Sequence, residues 1–251
     1  MKHRILVTGI SLVLFCTACV GCGRKYIEIQ ELPVLNYTAP QEGEEIVCIH
    51  VKDYGNIKIK LFSDLLPKAC ENFTTLAKQG YYDELIFHRV IENFMIQGGD
   101  PNGDTTGGES CWGGYFNGGV SEQLIHVPGA VAYANSGDIS TDGSQFYIVT
   151  GMPVTDAMLD NWTGNNALYF TKEAKKLYTQ YGGTPWLDGN YTIFGQVIDG
   201  LDIVYEISKL ETNASDKPKK AVYMESVSVE YYDGSQIRWY PAEYGLESGV
   251  Q

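Results

Sequence analysis

From residue 45 onward the chain alternates short apolar runs with glycine-rich polar breaks. The runs at 46–50 and 56–62 are β-prone, and Asp53-Tyr54-Gly55-Asn56 lies between them, so the pattern predicts a hairpin. The period then changes. After Pro67, the residues Ala69, Phe73, Leu76 and Ala77 share one face of a helix that Gly80 ends. Strand-like runs return at 85–90, 95–98, 130–134, 145–150 and 191–197. A second helix is predicted over 201–210, where Ile203, Val204, Ile207 and Leu210 form a stripe. The last strand, 223–232, alternates through Val227, Val229 and Tyr231.

Many short strands with two core helices predict an all-β domain, a closed antiparallel barrel or a sandwich; periodicity does not separate the two. One segment, about 151–185, stands outside this pattern as an insertion before the last strands. Within it Ala174, Leu177, Tyr178 and Tyr181 recur at helical spacing until Gly182-Gly183, which predicts an extra amphipathic helix over 171–181. Such a helix either covers an exposed edge or shapes which substrates enter a neighbouring pocket.

The first 22 residues differ in kind. Lys2, His3 and Arg4 precede an apolar run over 5–15, followed by Cys16-Thr17-Ala18-Cys19-Val20-Gly21-Cys22-Gly23. A basic start, a short apolar stretch and small residues read as an export signal too short to span a membrane. Small residues before a cysteine also resemble the bacterial lipoprotein cleavage box, with Cys22 the preferred lipidation site and Cys19 the alternative. Two acyl chains such as palmitate anchor stably where one does not, which predicts an extracytoplasmic protein lipid-anchored to the cell membrane. Residues 23–42, with Pro33 and Pro40, read as a tether. The domain then occupies 43–232, and 233–251 form a C-terminal tail.

Composition narrows the function. Of 251 residues 44% are apolar, enough for one domain of under 200 residues plus tails. A net charge of −13 argues against nucleic acid as a partner, because its phosphates would be repelled. The Cys16-x-x-Cys19-x-x-Cys22 run imitates a metal site but has no fourth cysteine at the expected spacing, so no metal or cofactor is predicted. Cys48, Cys70 and Cys111 read as small buried hydrophobes, with one disulfide possible. His88 and His126 fit neither a Ser-His-Asp order nor a His-x-x-x-His spacing and read as hydrogen-bonded structural histidines. In 145–150, alternation points Phe146 into the core, opposite Tyr147.

The chemistry centres on Phe87-His88-Arg89-Val90-Ile91-Glu92-Asn93-Phe94-Met95-Ile96-Gln97-Gly98-Gly99-Asp100. An arginine on an apolar β-type segment is costly to desolvate unless its charge is used, which predicts a shallow greasy pocket with a guanidinium at its rim. Two further blocks accompany it. One is Pro128-Gly129-Ala130-Val131-Ala132-Tyr133-Ala134-Asn135 leading to Asp142-Gly143-Ser144-Gln145-Phe146-Tyr147-Ile148. The other is Trp186-Leu187-Asp188-Gly189-Asn190-Tyr191-Thr192-Ile193-Phe194-Gly195-Gln196-Val197. In this order the three blocks closely resemble the signature of the cyclophilin-type peptidyl-prolyl cis-trans isomerases, over roughly residues 45–232.

The resemblance implies a closed eight-stranded barrel capped by two helices. It implies isomerisation of X-Pro bonds, with proline-containing unfolded or flexible polypeptides as partners, no cofactor, and a monomeric enzyme assisting folding of exported or surface polypeptides. The alternative is a holdase that grips proline segments without turnover. By motif match, Arg89 and Gln97 are the catalytic pair, Gln97 orienting the guanidinium. Phe94, Met95, Tyr147, Leu187 and Phe194 line the pocket, and Ala134, Asn135 and Gln145 hold the substrate main chain. Trp186 matches the family's tryptophan that also contacts cyclosporin, which implies inhibition by that drug. Tyr191 stands where many members carry histidine, and Tyr147 where phenylalanine is common.

Overall fold

The computed structural model describes residues 32–166 and 168–246. The export signal, both candidate lipidation cysteines and the first part of the tether lie outside the described residues.

Among the described residues nine strands form one continuous sheet, β1 (Glu45–Val51), β2 (Gly55–Leu61), β3 (Leu85–Ile86), β4 (Arg89–Ile91), β5 (Met95–Gly98), β6 (Ala130–Tyr133), β7 (Phe146–Val149), β8 (Ile193–Asp199) and β9 (Tyr223–Tyr231). Their order is β3-β9-β1-β2-β8-β6-β7-β5-β4, and each pairing is antiparallel. This corrects the expected closed eight-stranded ladder. The run 85–90 is not one strand: Leu85 and Ile86 pair with Met224 and Tyr223 of β9, whereas Arg89 pairs with Gln97 of β5. Phe87 and His88 carry the chain from one edge of the curled sheet to the other, so the two edges are joined covalently and not by a hydrogen-bonded ladder. Phe87 is fully buried in the interior this creates.

Four α-helices of the described residues accompany the sheet: α1 (Pro67–Lys78), α2 (Asp156–Asn166), α3 (Lys172–Tyr181) and α4 (Leu201–Ser208). Helix α1 starts with Pro67 at its first turn and buries Ala69, Phe73, Leu76 and Ala77, as the stripe predicts. Phe73 packs on Phe194, Phe146 and Tyr82, which joins the helix to the interior of the sheet. On α4, Val204 and Ile207 are buried against the same core. Before it, Gly200 has φ +85°, and a Cβ there would meet the Asn56 carbonyl at 2.3 Å, so glycine is required.

The insertion carries two helices where periodicity predicts one. On α3, Thr171 caps the N-terminus by accepting from the Ala174 N–H at 3.1 Å, and Ala174 and Tyr178 are buried. Val154, Leu159, Phe170, Ala174 and Tyr178 form a small core of their own with Ile125 and Val127. Helix α2 lacks an apolar stripe in its sequence Asp-Ala-Met-Leu-Asp-Asn-Trp-Thr-Gly-Asn-Asn, which is why the pattern does not reveal it.

Both flanks pack more tightly than the expected tether and tail. Asn36 is fully buried: its amide donates to the Ile125 carbonyl and to Gln196 Oε1, each at 3.0 Å, and its oxygen accepts from the Ile125 N–H. At the other end Ile237 and Trp239 cover Ile46, Ile198 and Tyr232 on the outer face of the sheet. Residues 32–42 and 233–246 therefore belong to the folded unit. Cys48, Cys70 and Cys111 are free thiols, the first two buried.

Candidate functional site

Antiparallel pairing builds the site. Arg89 on β4 lies opposite Gln97 on β5, Gln97 opposite Tyr147 on β7, and Tyr147 opposite Ala132 on β6. Directly paired residues point to the same face, so Arg89, Gln97 and Tyr147 form one row across three strands. Two positions along, Ile91 pairs with Met95 and Met95 with Val149, which adds Met95 to the same face. The intervening Val90, Ile96, Phe146 and Ile148 turn inward and are buried in the core.

This row floors a cleft of about 390 Å³ lined also by Phe94, Thr105, Thr106, Gly107, Tyr115, Ala134, Asn135, Gln145, Leu187 and Tyr191. Met95, Tyr147 and Leu187 are buried, and Arg89, with its side chain 34% exposed, stands at the rim. Phe94 leans on Trp186 (centroids 6.0 Å apart), which in turn packs on Trp162 of α2 at 5.5 Å. Trp186, expected to bind substrate, is not among the residues lining the cleft and packs beside the Phe94 wall, while Tyr191 meets Tyr147 edge-on at 5.8 Å.

Phe194 is not part of the cleft. It is fully buried, stacked on Tyr133 at 4.4 Å and packed on Phe73. Its strand position points it through the sheet into the interior, a distinction the motif match does not carry. Gln97 lines the cleft but is bonded differently from expectation. Its amide donates to Gln145 Oε1 at 2.9 Å, while the Arg89 Nε donates to Asp216 Oδ2 at 3.4 Å. Asp216 was missed because it sits in the loop before β9, 127 residues from Arg89, with no motif around it.

Gln145 extends the chain of bonds to the facing loop, donating to the carbonyls of Gly107 at 2.8 Å and Thr105 at 3.1 Å. Buried Asp100 shapes that loop by accepting from the N–H groups of Asn102, Asp104, Thr105 and Gly107 at 2.6–3.1 Å. The glycine pair is obligatory there, since a Cβ on Gly108 would lie 2.3 Å from Ser144 Oγ and one on Gly107 2.5 Å from Asp100 Oδ1.

On the opposite wall the Asn135 side chain is engaged by its own loop and by the segment before β8. Its amide donates to Asp142 Oδ1 and to the Asn190 carbonyl, each at 3.3 Å, and its oxygen accepts from the Gly137 N–H. Asp142 is buried and accepts from Thr192 Oγ1 at 2.6 Å; burial pushes its carboxyl up to about 6 despite that bond. His126 is the hydrogen-bonded histidine the sequence predicts, joined to Asp188 and Tyr147. His88 departs from expectation: both ring nitrogens are buried without a hydrogen-bond partner among the described residues, and burial lowers its pKa.

A curled antiparallel sheet that sets one arginine beside an apolar floor defines a protein able to seat a small apolar ring next to a fixed cation. Residues 46–229 match the family described as "Cyclophilin type peptidyl-prolyl cis-trans isomerase/CLD". A Staphylococcus aureus protein named "Putative peptidyl-prolyl cis-trans isomerase" is 44% identical over 190 residues, 76% of this chain and 94% of that one. A Staphylococcus haemolyticus protein of the same name is 42% identical, covering 76% and 93%. Among solved structures, a cyclophilin type peptidyl-prolyl cis-trans isomerase of Cryptosporidium parvum, crystallised in the presence of the dipeptide Ala-Pro, is similar. It has a TM-score of 0.59 and 32% identity, over 74% of this chain and 99% of that one. The chain belongs to the cyclophilin-type peptidyl-prolyl cis-trans isomerases.

Proposed function

We propose that this isomerase acts as a monomer on X-Pro bonds of exported or surface polypeptides, held outside the cytoplasm by acyl chains on Cys22 or, failing that, Cys19. The N-terminal basic, apolar and small-residue order supports this placement. The need is kinetic, since uncatalysed X-Pro isomerisation takes tens to hundreds of seconds and exported chains fold after translocation.

The observation that carries the mechanism is the row of Arg89, Gln97 and Tyr147 over a buried Met95. Rotation about a peptide bond is opposed by about 18–20 kcal/mol because nitrogen shares its lone pair with the carbonyl. No bond breaks and no proton leaves, so catalysis consists of favouring the twisted amide, in which that lone pair is localised on nitrogen. Arg89 carries its charge at every relevant pH and donates a hydrogen bond to that nitrogen. A charged hydrogen bond contributes about 1.5–3 kcal/mol, roughly 10- to 100-fold in rate. The remainder comes from the proline ring held among Phe94, Met95, Leu187 and Tyr147 while the carbonyl end turns. The main chain at Ala134 and Asn135 and the Gln145 side chain steer the peptide along the opposite wall, and the Trp186–Phe94 pair is the surface offered to cyclosporin.

Isomerisation of a short X-Pro peptide by the full chain, native against Arg89→Ala, tests the reading. A drop of at least about tenfold in kcat/KM at unchanged thermal midpoint is expected. Equal rates would reject the role given to Arg89. Inhibition by cyclosporin, and the mass of the mature N-terminal peptide, test the drug contact and the lipidated cysteine separately.

A further inference from the structure

The insertion reaches the cleft through an unbroken line of buried and partly buried hydrogen bonds. Tyr178 on α3 is fully buried and donates its hydroxyl to Asp188 Oδ2 at 2.7 Å. Asp188 Oδ1 pairs with His126 Nδ1 at 2.7 Å, and His126 Nε2 lies 2.9 Å from the Tyr147 hydroxyl. The His126 main-chain N–H is shared between Tyr178 Oη at 2.9 Å and Asp188 Oδ1 at 3.0 Å. His126 is fully buried, and its ring lies nearly parallel to that of Tyr147 at 14°. The far end of the line is the cleft floor itself, since Tyr147 belongs to the lining.

Proton placement follows from the inventory of donors. Against a carboxylate, which accepts only, a neutral His126 ring carries its hydrogen on Nδ1 and presents a lone pair at Nε2. The Tyr147 hydroxyl then donates to Nε2, away from the cleft. A tyrosine floor thereby presents carbon to a proline ring, with its polar tip bound behind it.

We propose that Tyr178, Asp188 and His126 are positioning residues for the isomerase site, and that the 151–185 insertion acts on proline-peptide recognition by locking the Tyr147 ring through them. This rests on the isomerase reading of the cleft. The chain of bonds explains why an insertion that buries its own small core also contributes a tyrosine whose hydroxyl reaches Asp188 and the His126 main chain. It also gives the Tyr147 hydroxyl a function that a phenylalanine floor would not need.

The test combines a mutant cycle with a measurement independent of turnover. In the native background, Asp188→Asn and Tyr178→Phe should each lower kcat/KM for an X-Pro peptide about fivefold, as expected for one displaced neutral hydrogen bond. In a Tyr147→Phe background the same two changes should alter kcat/KM by less than about 1.5-fold, since the group they act through is gone. Equal losses in both backgrounds would overturn the proposal and leave the three residues as scaffold only. Nitrogen-15 shifts of His126 supply the second readout: Nδ1 protonated and Nε2 bare in the native protein, reversed or mixed in Asp188→Asn. A protonated Nε2 in the native protein at neutral pH would also overturn it. Should Asp188→Asn fail to fold, Tyr178→Phe, which removes a single hydroxyl, carries the cycle. A native protein without turnover would count against the isomerase reading, while the histidine shifts still decide the hydrogen-bond line.

Discussion

Arg89 and Gln97 face each other across β4 and β5, yet each is hydrogen-bonded elsewhere, Arg89 to Asp216 and Gln97 to Gln145. The pairing places both side chains on one face; the bonds then divide their roles. Gln97 ties the floor of the cleft to the 105–107 wall through Gln145, and Asp216 sets the direction of the guanidinium.

That division makes Asp216 a residue that matters to rate more than to folding. Its bond to Arg89 is 3.4 Å long and both side chains are partly exposed, so it contributes about 0–1 kcal/mol to stability. Asp216→Asn should leave the thermal midpoint nearly unchanged and lower kcat a few-fold, about 2–5-fold for a guanidinium left to reorient. Parallel melting curves and peptide assays of the two proteins check this.

Gln97→Ala should act on both. Removing it breaks the bond to the half-buried Gln145 oxygen and loosens the wall carried by the Gly107 and Thr105 carbonyls. A loss of about 0.5–1.5 kcal/mol is expected from the broken hydrogen bond, with a larger fall in kcat/KM than from Asp216→Asn. Urea unfolding gives the first quantity and peptide turnover the second.

Phe194→Ala separates core from cleft. Truncating a fully buried ring stacked between Tyr133 and Phe73 should destabilise the fold by about 3–5 kcal/mol. Because the ring does not line the cleft, KM measured well below the melting transition should change little. A large KM increase in a folded variant would place Phe194 in the binding surface after all.

Asp142 gives the fold a pH dependence of defined sign. Its carboxyl sits at about 6 in the folded protein because it is buried, against about 3.9 for an unperturbed aspartate. The folded form therefore holds this proton to higher pH than the unfolded chain does. Between about pH 4 and 6 the folded state binds more protons, so raising pH through that window lowers stability, and above about 6 the loss is complete. The contribution is on the order of 1–3 kcal/mol. Chemical denaturation at pH 4, 5, 6 and 7 should show this decline in the native protein and a flatter profile in Asp142→Asn.

Much of this was legible along the chain because local patterns carried it. Helices α1 and α4 and most strands appear where period and breakers put them, since period 2 or 3.6 is a property of neighbours in sequence. Most of the cleft was legible by motif: Arg89, Phe94, Met95, Gln97, Ala134, Asn135, Gln145, Tyr147, Leu187 and Tyr191 do converge. Where reading failed, the missing information was non-local. Whether Phe194 faces cleft or core, and that the Asn135 amide turns to Asp142, depends on which strand or loop packs behind each residue.

By itself, then, the sequence determined the family, the antiparallel strand-rich fold, the presence of an insertion and the cation beside apolar rings, because each is written in contiguous spacing. Only the tertiary structure decided that one apparent strand is cut at Phe87–His88 to join the two sheet edges, that Asp216 bonds Arg89, and that Tyr178 reaches Tyr147 through Asp188 and His126. Those relations hold between residues up to 127 positions apart. They are set by curvature and packing of the whole sheet, on which no local run of side chains has a vote.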